Sequence, residues 1–262
     1  MAKKLGFALG AGGSRGVAHI GFLKAMEENG IKADYVAGTS MGSVVGACYA
    51  AGYTADFMWQ EISKLSMSDI FDLSFNPIAN GALLKAQKMR KKLATYFEKT
   101  PTFDQLKIPF KCVAVNLIDG KLKVFEGKDN IAEGIAASSS IPGIFKPCKI
   151  DDMLLVDGGV KCRVPMTQVK EMGADVVVAV DVLGEIKPLN KRYNLISLLL
   201  RTFDVMDGDL SKANADVQRP DLYLTPDLGD MVQYKFKGMD MAYEQGYKIG
   251  IENADKIKKL IH

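Results

Sequence analysis

The chain has 262 residues, of which 48% are hydrophobic and 25% charged, so it has enough apolar residues for a sizeable core. Its formal net charge of +3 is too small to indicate nucleic-acid binding or a strong electrostatic pull towards membranes. The longest apolar runs fall short of the roughly 18 residues that a membrane-spanning helix needs, and glycines interrupt the first run. We therefore expect one domain over residues 1–262, without a signal peptide.

The four cysteines are widely spaced and form no CxxC pair, which argues against a zinc site and against a disulfide framework. They are Cys48, Cys112, Cys148 and Cys162. The cysteine usage and the missing signal favour a reducing, cytoplasmic setting, with at most a transient contact with membrane surfaces. We expect no metal and no cofactor, and the sequence does not define the oligomeric state.

The N-terminal fifth predicts two successive units of strand, glycine-containing turn and helix. Residues 3–10 form an apolar run that predicts a buried strand, and 14–30 predict a helix that stops at a glycine. Residues 33–40 and 41–52 predict the next strand and helix. This alternation is typical of an α/β fold, and we expect a three-layer α/β/α arrangement with a mostly parallel central sheet.

The remaining patterns extend the same fold class. Residues 56–98 predict helices with an interruption over 71–81, and 67–98 is a candidate lid or groove-lining segment. Residues 110–127 predict a hairpin with a type I′ turn at Asp119-Gly120. The other predicted elements are helices over 130–139, 192–213 and 238–262, strands over 152–159 and 174–182, and an edge strand over 220–228.

The stretch "GTSMG" (38–42) carries the first chemical signal. It fits a nucleophile elbow, in which Ser40 lies on a strained turn between strand and helix while Gly38 and Gly42 remove side chains that would clash. The helix that follows directs its N-terminus at the serine and favours a developing negative charge. A tight structural turn is the alternative interpretation.

A histidine base for this serine is poorly supported, because the chain contains only His19 and His262. His262 is the terminal residue. His19 shares a helical stripe with Leu23 and Met26, which is typical of a packed histidine with one hydrogen bond. If Ser40 is activated, a carboxylate is the natural candidate for its general base.

Two further glycine clusters follow predicted strands. The first, "GAGGSRG" (10–16), fits neither a Walker A nor a GxGxxG spacing, and its backbone amides suit an oxyanion hole better than a nucleotide phosphate. Arg15 within it either steadies the loop, attracts an anionic head group or is a solvated charge. The second, "LLVDGGV" (154–160), places Asp157 at the end of a strand, where it either projects into a site or belongs to a simple turn.

In combination, these motifs resemble those of the patatin-like phospholipases, which have a glycine-rich oxyanion loop, a GxSxG elbow and a distal Asp-Gly-Gly in this order. The block "ASSSIPGIFKP" (137–147) adds to the resemblance, which spans residues 5 to about 182. The resemblance implies a Ser40–Asp157 dyad and an oxyanion hole from the backbone amides of Gly12, Gly13 and Ser14. The supporting motif residues are Arg15, Gly16, Gly38, Met41, Gly42, Gly158 and Gly159. Ala11 departs from the family's pattern, because a glycine often stands there.

The expected function is therefore a serine acyl hydrolase that acts on lipid or lysophospholipid esters through an acyl-enzyme, with a lipid or acyl ester as its partner and no nucleic acid. A thioesterase or short-chain esterase, and a catalytically weak regulatory protein on the same scaffold, remain as alternatives. The apolar residues of 67–84 either line an acyl groove or pack on the core. The basic run 85–93 either touches anionic lipid or is a solvated helical face.

Overall fold

The fold was analysed in a computed structural model, which describes residues 2–65, 72–73, 82–85, 87–183, 195–229, 231 and 238–262. The strands are Leu5–Leu9 (β1), Tyr35–Gly38 (β2), Asp72–Leu73 (β3), Ala82–Lys85 (β4), Phe110–Asn116 (β5), Leu122–Phe125 (β6), Gly143–Phe145 (β7), Cys148–Ile150 (β8), Met153–Asp157 (β9), Val176–Val180 (β10) and Leu222–Leu224 (β11). The helices are Val17–Glu28 (α1), Met41–Ala51 (α2), Ala55–Ser63 (α3), Gln87–Tyr96 (α4), Ile131–Ser138 (α5), Met166–Glu171 (α6), Leu195–Gln218 (α7) and Met239–Ile261 (α8).

The centre of the molecule is a parallel sheet with the strand order β11-β10-β1-β2-β5. Every residue of β1 and β10 is buried, because helices cover both faces of the sheet. Helices α1, α2 and α8 contribute to the larger core on one face, and α6 packs on the other. The predicted α/β fold with a mostly parallel central sheet is confirmed, and β11 is an edge strand as expected.

The hairpin of β5 and β6 lacks the predicted type I′ turn. That turn needs positive φ at both central residues, whereas only Gly120 has one, at 67°. The backbone N–H of Asn116 donates to Lys121, which leaves a four-residue loop over 117–120. The neighbouring strand explains the difference. The backbone N–H of Leu117 donates to the carbonyl of Leu154 in β9, so Leu117 does not pair with β6 as a two-residue turn would require.

The region predicted as two helices contains an additional strand pair. Helices α3 and α4 are present, but Ala82–Lys85 is a strand that pairs in parallel with Gly143–Phe145. The local sequence pattern predicts a helix there. The segment is a strand instead, because it forms backbone hydrogen bonds with a strand about 60 residues away, and a local pattern does not reveal such a partner. Most of the predicted interruption, residues 71 and 74–81, lies outside the described residues, so the lid over 67–98 stays a prediction. Most residues of α4 are exposed or half-buried, in keeping with a solvated basic face.

Strands β2 and β9 lie end to end along one edge of β5 and run towards each other. Cys112 of β5 pairs with both β2 and β6, so these two strands occupy opposite edges of β5. Val115 pairs with both β6 and β9, which puts β9 on the same edge as β2. Strand β2 ends at Gly38, opposite Cys112, and β9 ends at Asp157, opposite Ala114. The residues that follow the two strand ends must therefore meet.

His19 is a packed histidine, as its stripe predicts. It is fully buried in α1 together with Leu23 and Met26, and its Nε2–H donates to the backbone carbonyl of Gly10 over 2.8 Å. Its Nδ1 has no partner among the described residues. Burial lowers the pKa of His19 from 6.5 to about 4, so the ring is neutral near pH 7. In the described part of the chain, no helix is both long and apolar enough to cross a membrane.

We expect acid to destabilise the protein through His19. Because its pKa is lower when folded, the unfolded state binds the proton first, so stability is fully present above pH 6.5 and is lost as the pH falls towards 4. The free energy of unfolding should fall by about 2 kcal/mol between pH 7.5 and 5 through this residue. In His19→Gln, whose amide can still donate to Gly10, urea titrations should show a smaller fall, and equal falls would contradict the assignment.

Candidate active site

The turn between β2 and α2 has the strained geometry of a nucleophile elbow. Ser40 has φ 54° and ψ −125°, a backbone conformation that residues other than glycine rarely adopt. A Cβ atom on Gly38 would lie 2.3 Å from the carbonyl oxygen of Gly42, and one on Gly42 would lie 2.2 Å from that of Leu9. The two glycines are therefore required by close backbone contacts, and the geometry is that expected of a nucleophile elbow.

The Ser40 and Asp157 side chains meet where β2 and β9 converge. Ser40 Oγ donates to Asp157 Oδ2 over 2.6 Å, and both residues are buried. The other carboxylate oxygen, Oδ1, accepts from the backbone N–H of Gly159 over 2.8 Å. Gly158 and Gly159 begin a short 3₁₀ turn after β9, and this turn holds the carboxylate in place. Asp157 therefore projects into a site and does not merely form a turn.

The environment of Asp157 keeps its carboxyl group weakly acidic. Burial raises its pKa from 3.8 to about 7, and the negative charge of Asp207 adds to the rise. The hydrogen bonds from Ser40 and Gly159 and the positive charge of Arg163 lower the pKa and partly offset this effect. Asp157 consequently changes protonation state near neutral pH, as a general base should.

The glycine loop lies beside Ser40 with unused backbone donors. Ala11, Gly12 and Gly13 line the same pocket as Ser40 and Asp157. Among the described residues, the amide N–H groups of Gly12 and Gly13 have no acceptor, and neither has that of Met41 at the start of α2. Unpaired donors next to a buried serine fit an oxyanion hole.

The rest of the loop is fixed by its surroundings. Ser14 is buried in the 3₁₀ turn Gly13–Gly16, and Gly16 packs against the side chain of Met41. Arg15 donates through Nε to the carbonyl of Met231 over 2.7 Å and through Nη1 to that of Leu183 over 3.0 Å. Arg15 therefore steadies the loop, and its interpretation as a solvated charge is wrong.

Three residues of the pocket escaped the sequence analysis: Phe203 and Asp207 of α7, and Arg163, which follows the Asp-Gly-Gly turn. Arg163 belongs to no motif, and the pattern of 192–213 indicates a helix without indicating what it covers. One signal was available. Asp204, Asp207 and Ser211 recur at helical spacing, so that these polar side chains share one face of the helix.

The pocket above Ser40 is narrow. Its volume is about 40 Å³, which has room for only a few water molecules. Its lining includes the apolar side chains of Ile141, Pro142, Val160 and Phe203. An acyl chain would need these side chains to move apart.

Comparisons with known proteins identify the family of the chain. The family model of the patatin-like phospholipases matches residues 7–170, so the chain belongs to this family. An uncharacterized NTE family protein of Mycobacterium tuberculosis is 35% identical over 182 residues, which are 69% of this chain and 49% of that protein. Lysophospholipase NTE1 of Coccidioides immitis is 28% identical over 282 residues, covering 98% of this chain and 18% of that protein. The chain thus spans about half the length, or less, of these relatives.

Solved structures share the fold. VipD from Legionella pneumophila superposes with a TM-score of 0.60 at 13% identity, covering 97% of this chain and 67% of that one. Full-length ExoU of Pseudomonas aeruginosa, solved in complex with SpcU, gives 0.51 at 11% identity, covering 100% of this chain and 53% of the matched chain. At such identities the similarity concerns the fold alone.

We expect Asp157 to lower stability at alkaline pH. Because its pKa is higher when folded, the folded state holds the proton longer, and stability falls as the pH rises from 3.8 towards 7. Asp157→Asn removes this cost. We compare the free energy of unfolding of this variant with that of the wild type at two pH values. The difference in favour of the variant should be about 3 kcal/mol larger at pH 8.5 than at pH 5. Asp152→Asn, in the exposed turn before β9, is the control; a gain independent of pH would contradict the account.

Proposed function

We propose that the chain is a serine acyl hydrolase of lipid esters, with Ser40 as the nucleophile and Asp157 as its general base. The observation that carries the proposal is the 2.6 Å hydrogen bond from Ser40 Oγ to Asp157 Oδ2 in a buried pocket. His19 is a poor candidate for the base, because its Nε2–H is bonded to the carbonyl of Gly10 and burial lowers its pKa to about 4, which makes the ring a weak base. Membership of the patatin-like phospholipases supports the same reaction class.

In the acylation step, Asp157 removes the Ser40 proton while Oγ attacks the ester carbonyl carbon. The tetrahedral intermediate carries its negative charge on the former carbonyl oxygen. The proton on Asp157 then passes to the leaving alkoxide as the C–O bond breaks, which leaves an acyl-serine and an ionised carboxylate. The strained elbow holds Oγ ready for attack, so no reorientation is needed.

In the deacylation step, Asp157 accepts a proton from water, and the resulting hydroxide attacks the acyl-serine. The acid is released as the proton returns to Ser40 Oγ. Asp157 is well suited to both directions of transfer, because its pKa of about 7 lies near the working pH. Its hydrogen bond from Gly159 keeps the carboxylate fixed throughout.

The intermediate's oxyanion is assigned to the unpaired amides of Gly12 and Gly13, with the N-terminus of α2 adding its positive potential. Ser14, which the resemblance also implicates, is the second residue of the 3₁₀ turn that begins at Gly13. Removal of one such donor typically costs about 10²–10³ in turnover. Ala11 needs no positive φ in this loop, so the departure from glycine there is tolerated.

The substrate is proposed to be a lysophospholipid or a related lipid ester. The apolar side chains that line the pocket suit an acyl chain, and one relative that matches nearly the whole of this chain is a lysophospholipase. Trials with lysophosphatidylcholine, an acyl-CoA and a short aryl ester compare this substrate class with the thioesterase and short-chain alternatives. A clear preference for the short ester would overturn the lipid assignment.

Ser40→Ala and Asp157→Asn should each reduce the hydrolysis of lysophosphatidylcholine by at least about 10³-fold, since each removes a group that acts in both steps. Ser63→Ala, at the end of α3, is the matched control and should retain full activity. The measurement is fatty-acid release under initial-rate conditions, with cooperative thermal unfolding at or above the wild-type melting temperature showing that the variants fold. Wild-type activity in Ser40→Ala would refute the proposal.

The activity should rise with pH through about 7. The base must be ionised, and the pKa of Asp157 is about 7, so kcat/KM should fall about tenfold per pH unit well below that value. The profile is measured with a soluble aryl ester, whose own protonation state does not change. An acidic limb near pH 4, the usual value for a carboxyl group, would contradict the assignment of Asp157.

A further inference from the structure

Arg163 is the largest of the fully buried side chains, with 1% of its side chain exposed. Three of its nitrogens are bonded to three different parts of the chain. Nε donates to Asp181 Oδ1 over 3.1 Å, Nη1 to Asp207 Oδ2 over 3.0 Å and Nη2 to the carbonyl of Ala11 over 2.7 Å. Burying a guanidinium costs folding free energy unless it is paired with acceptors, so a buried arginine with three partners suggests a specific function.

Arg163 forms hydrogen bonds with both the backbone N–H and the backbone carbonyl of Ala11 in the glycine loop. The backbone N–H of Ala11 donates to the Arg163 carbonyl over 3.0 Å, while the Ala11 carbonyl accepts from Nη2. A trans peptide is planar, so fixing the Ala11 carbonyl also fixes the direction of the Gly12 N–H across the same peptide bond. The orientation of one proposed oxyanion donor therefore depends on Arg163.

Two aspartates hold the guanidinium in this orientation. Asp181, just after β10, also accepts from the backbone N–H of Leu183 and from the hydroxyl of Tyr223. Asp207 lies on α7 and lines the pocket with Ser40. Arginine fits because its planar fork reaches all three acceptors at once, which a lysine ammonium cannot do with the same geometry.

We propose that Arg163 is a positioning residue that sets the oxyanion loop against Ser40, and that Asp207 couples helix α7 to this loop through it. The proposal rests on the proposed function, because it concerns the same pocket. The chain of contacts runs from α7 through Asp207 and Arg163 to Ala11 and Gly12. A displacement of α7, such as an acyl chain entering past Phe203 would require, is thereby transmitted to the oxyanion donors.

The first test is Arg163→Lys, which keeps the charge but loses the fork. On a short, soluble aryl ester, kcat should fall about 10–100-fold with KM within about twofold, because ester binding does not use the displaced donor. The rate of fluorophosphonate labelling of Ser40 should fall in parallel. Arg90→Lys is the matched control, since Arg90 forms an exposed pair with Glu133, and it should behave as the wild type.

The second test is Asp207→Asn, which keeps an acceptor for Arg163 but removes a negative charge. The charged groups facing Asp157 are Asp207 and Arg163, and those facing Asp207 are Arg163, Asp204 and Asp181. Loss of the Asp207 charge lowers the pKa of Asp157, so the acidic limb of the pH–rate profile should move to lower pH. Arg163→Lys, which keeps its charge, should leave the limb in place.

The third variant is Asp207→Ala, which removes both the charge and the acceptor for Arg163 and should lower kcat more than Asp207→Asn does. It also tests the inference if Arg163→Lys fails to fold. Wild-type kcat in Arg163→Lys or in Asp207→Ala, with Ser40→Ala inactive, would overturn this inference and leave the proposed function intact. Full activity of Ser40→Ala would instead overturn the proposed function itself.

Discussion

The site depends on two strands that run towards each other along one edge of β5. β2 ends at Gly38 and β9 ends at Asp157, and their partners on β5 are only two residues apart. A strand advances about 3.3 Å per residue, so the two ends are about 7 Å apart and their next side chains must meet. Sheet register thus brings two residues separated by 117 positions in sequence close together, and the elbow at Ser40 and the 3₁₀ turn after Asp157 complete their hydrogen bond.

Around this junction, the chain tolerates arrangements that cost stability. Ser40 has a strained backbone, Asp157 is a buried carboxyl group with a raised pKa, and the amides of Gly12 and Gly13 lack acceptors among the described residues. Each arrangement would be unfavourable in a protein selected for stability alone. In the proposed mechanism they supply a positioned nucleophile, its base and a place for a developing negative charge, and their presence in one pocket supports that mechanism.

The sequence predicted the parts of the fold that depend on local pattern. The alternation of apolar runs, glycine turns and amphipathic segments located β1, α1, β2 and α2, and the motifs identified Ser40 and Asp157. The direction of β9 could not be read from its sequence, because an apolar strand carries no sign of which edge it will join. The same limit explains the unforeseen strand Ala82–Lys85 and the shifted turn at Asp119-Gly120, both of which depend on distant backbone partners. The position of Arg163 in the pocket could not be predicted from the sequence, because its three hydrogen-bonding partners lie far apart along the chain.

The most direct test of the central claim is to map the residue that a fluorophosphonate probe modifies in the native protein. We predict a single phosphonylated peptide containing Ser40, with labelling abolished in Asp157→Asn because the serine then lacks its base. Ser43, Ser138 and Ser140 lie close by and are buried, so they serve as internal controls. Modification of one of these serines, no labelling of the native protein, or undiminished labelling of Asp157→Asn would contradict the pairing of Ser40 with Asp157.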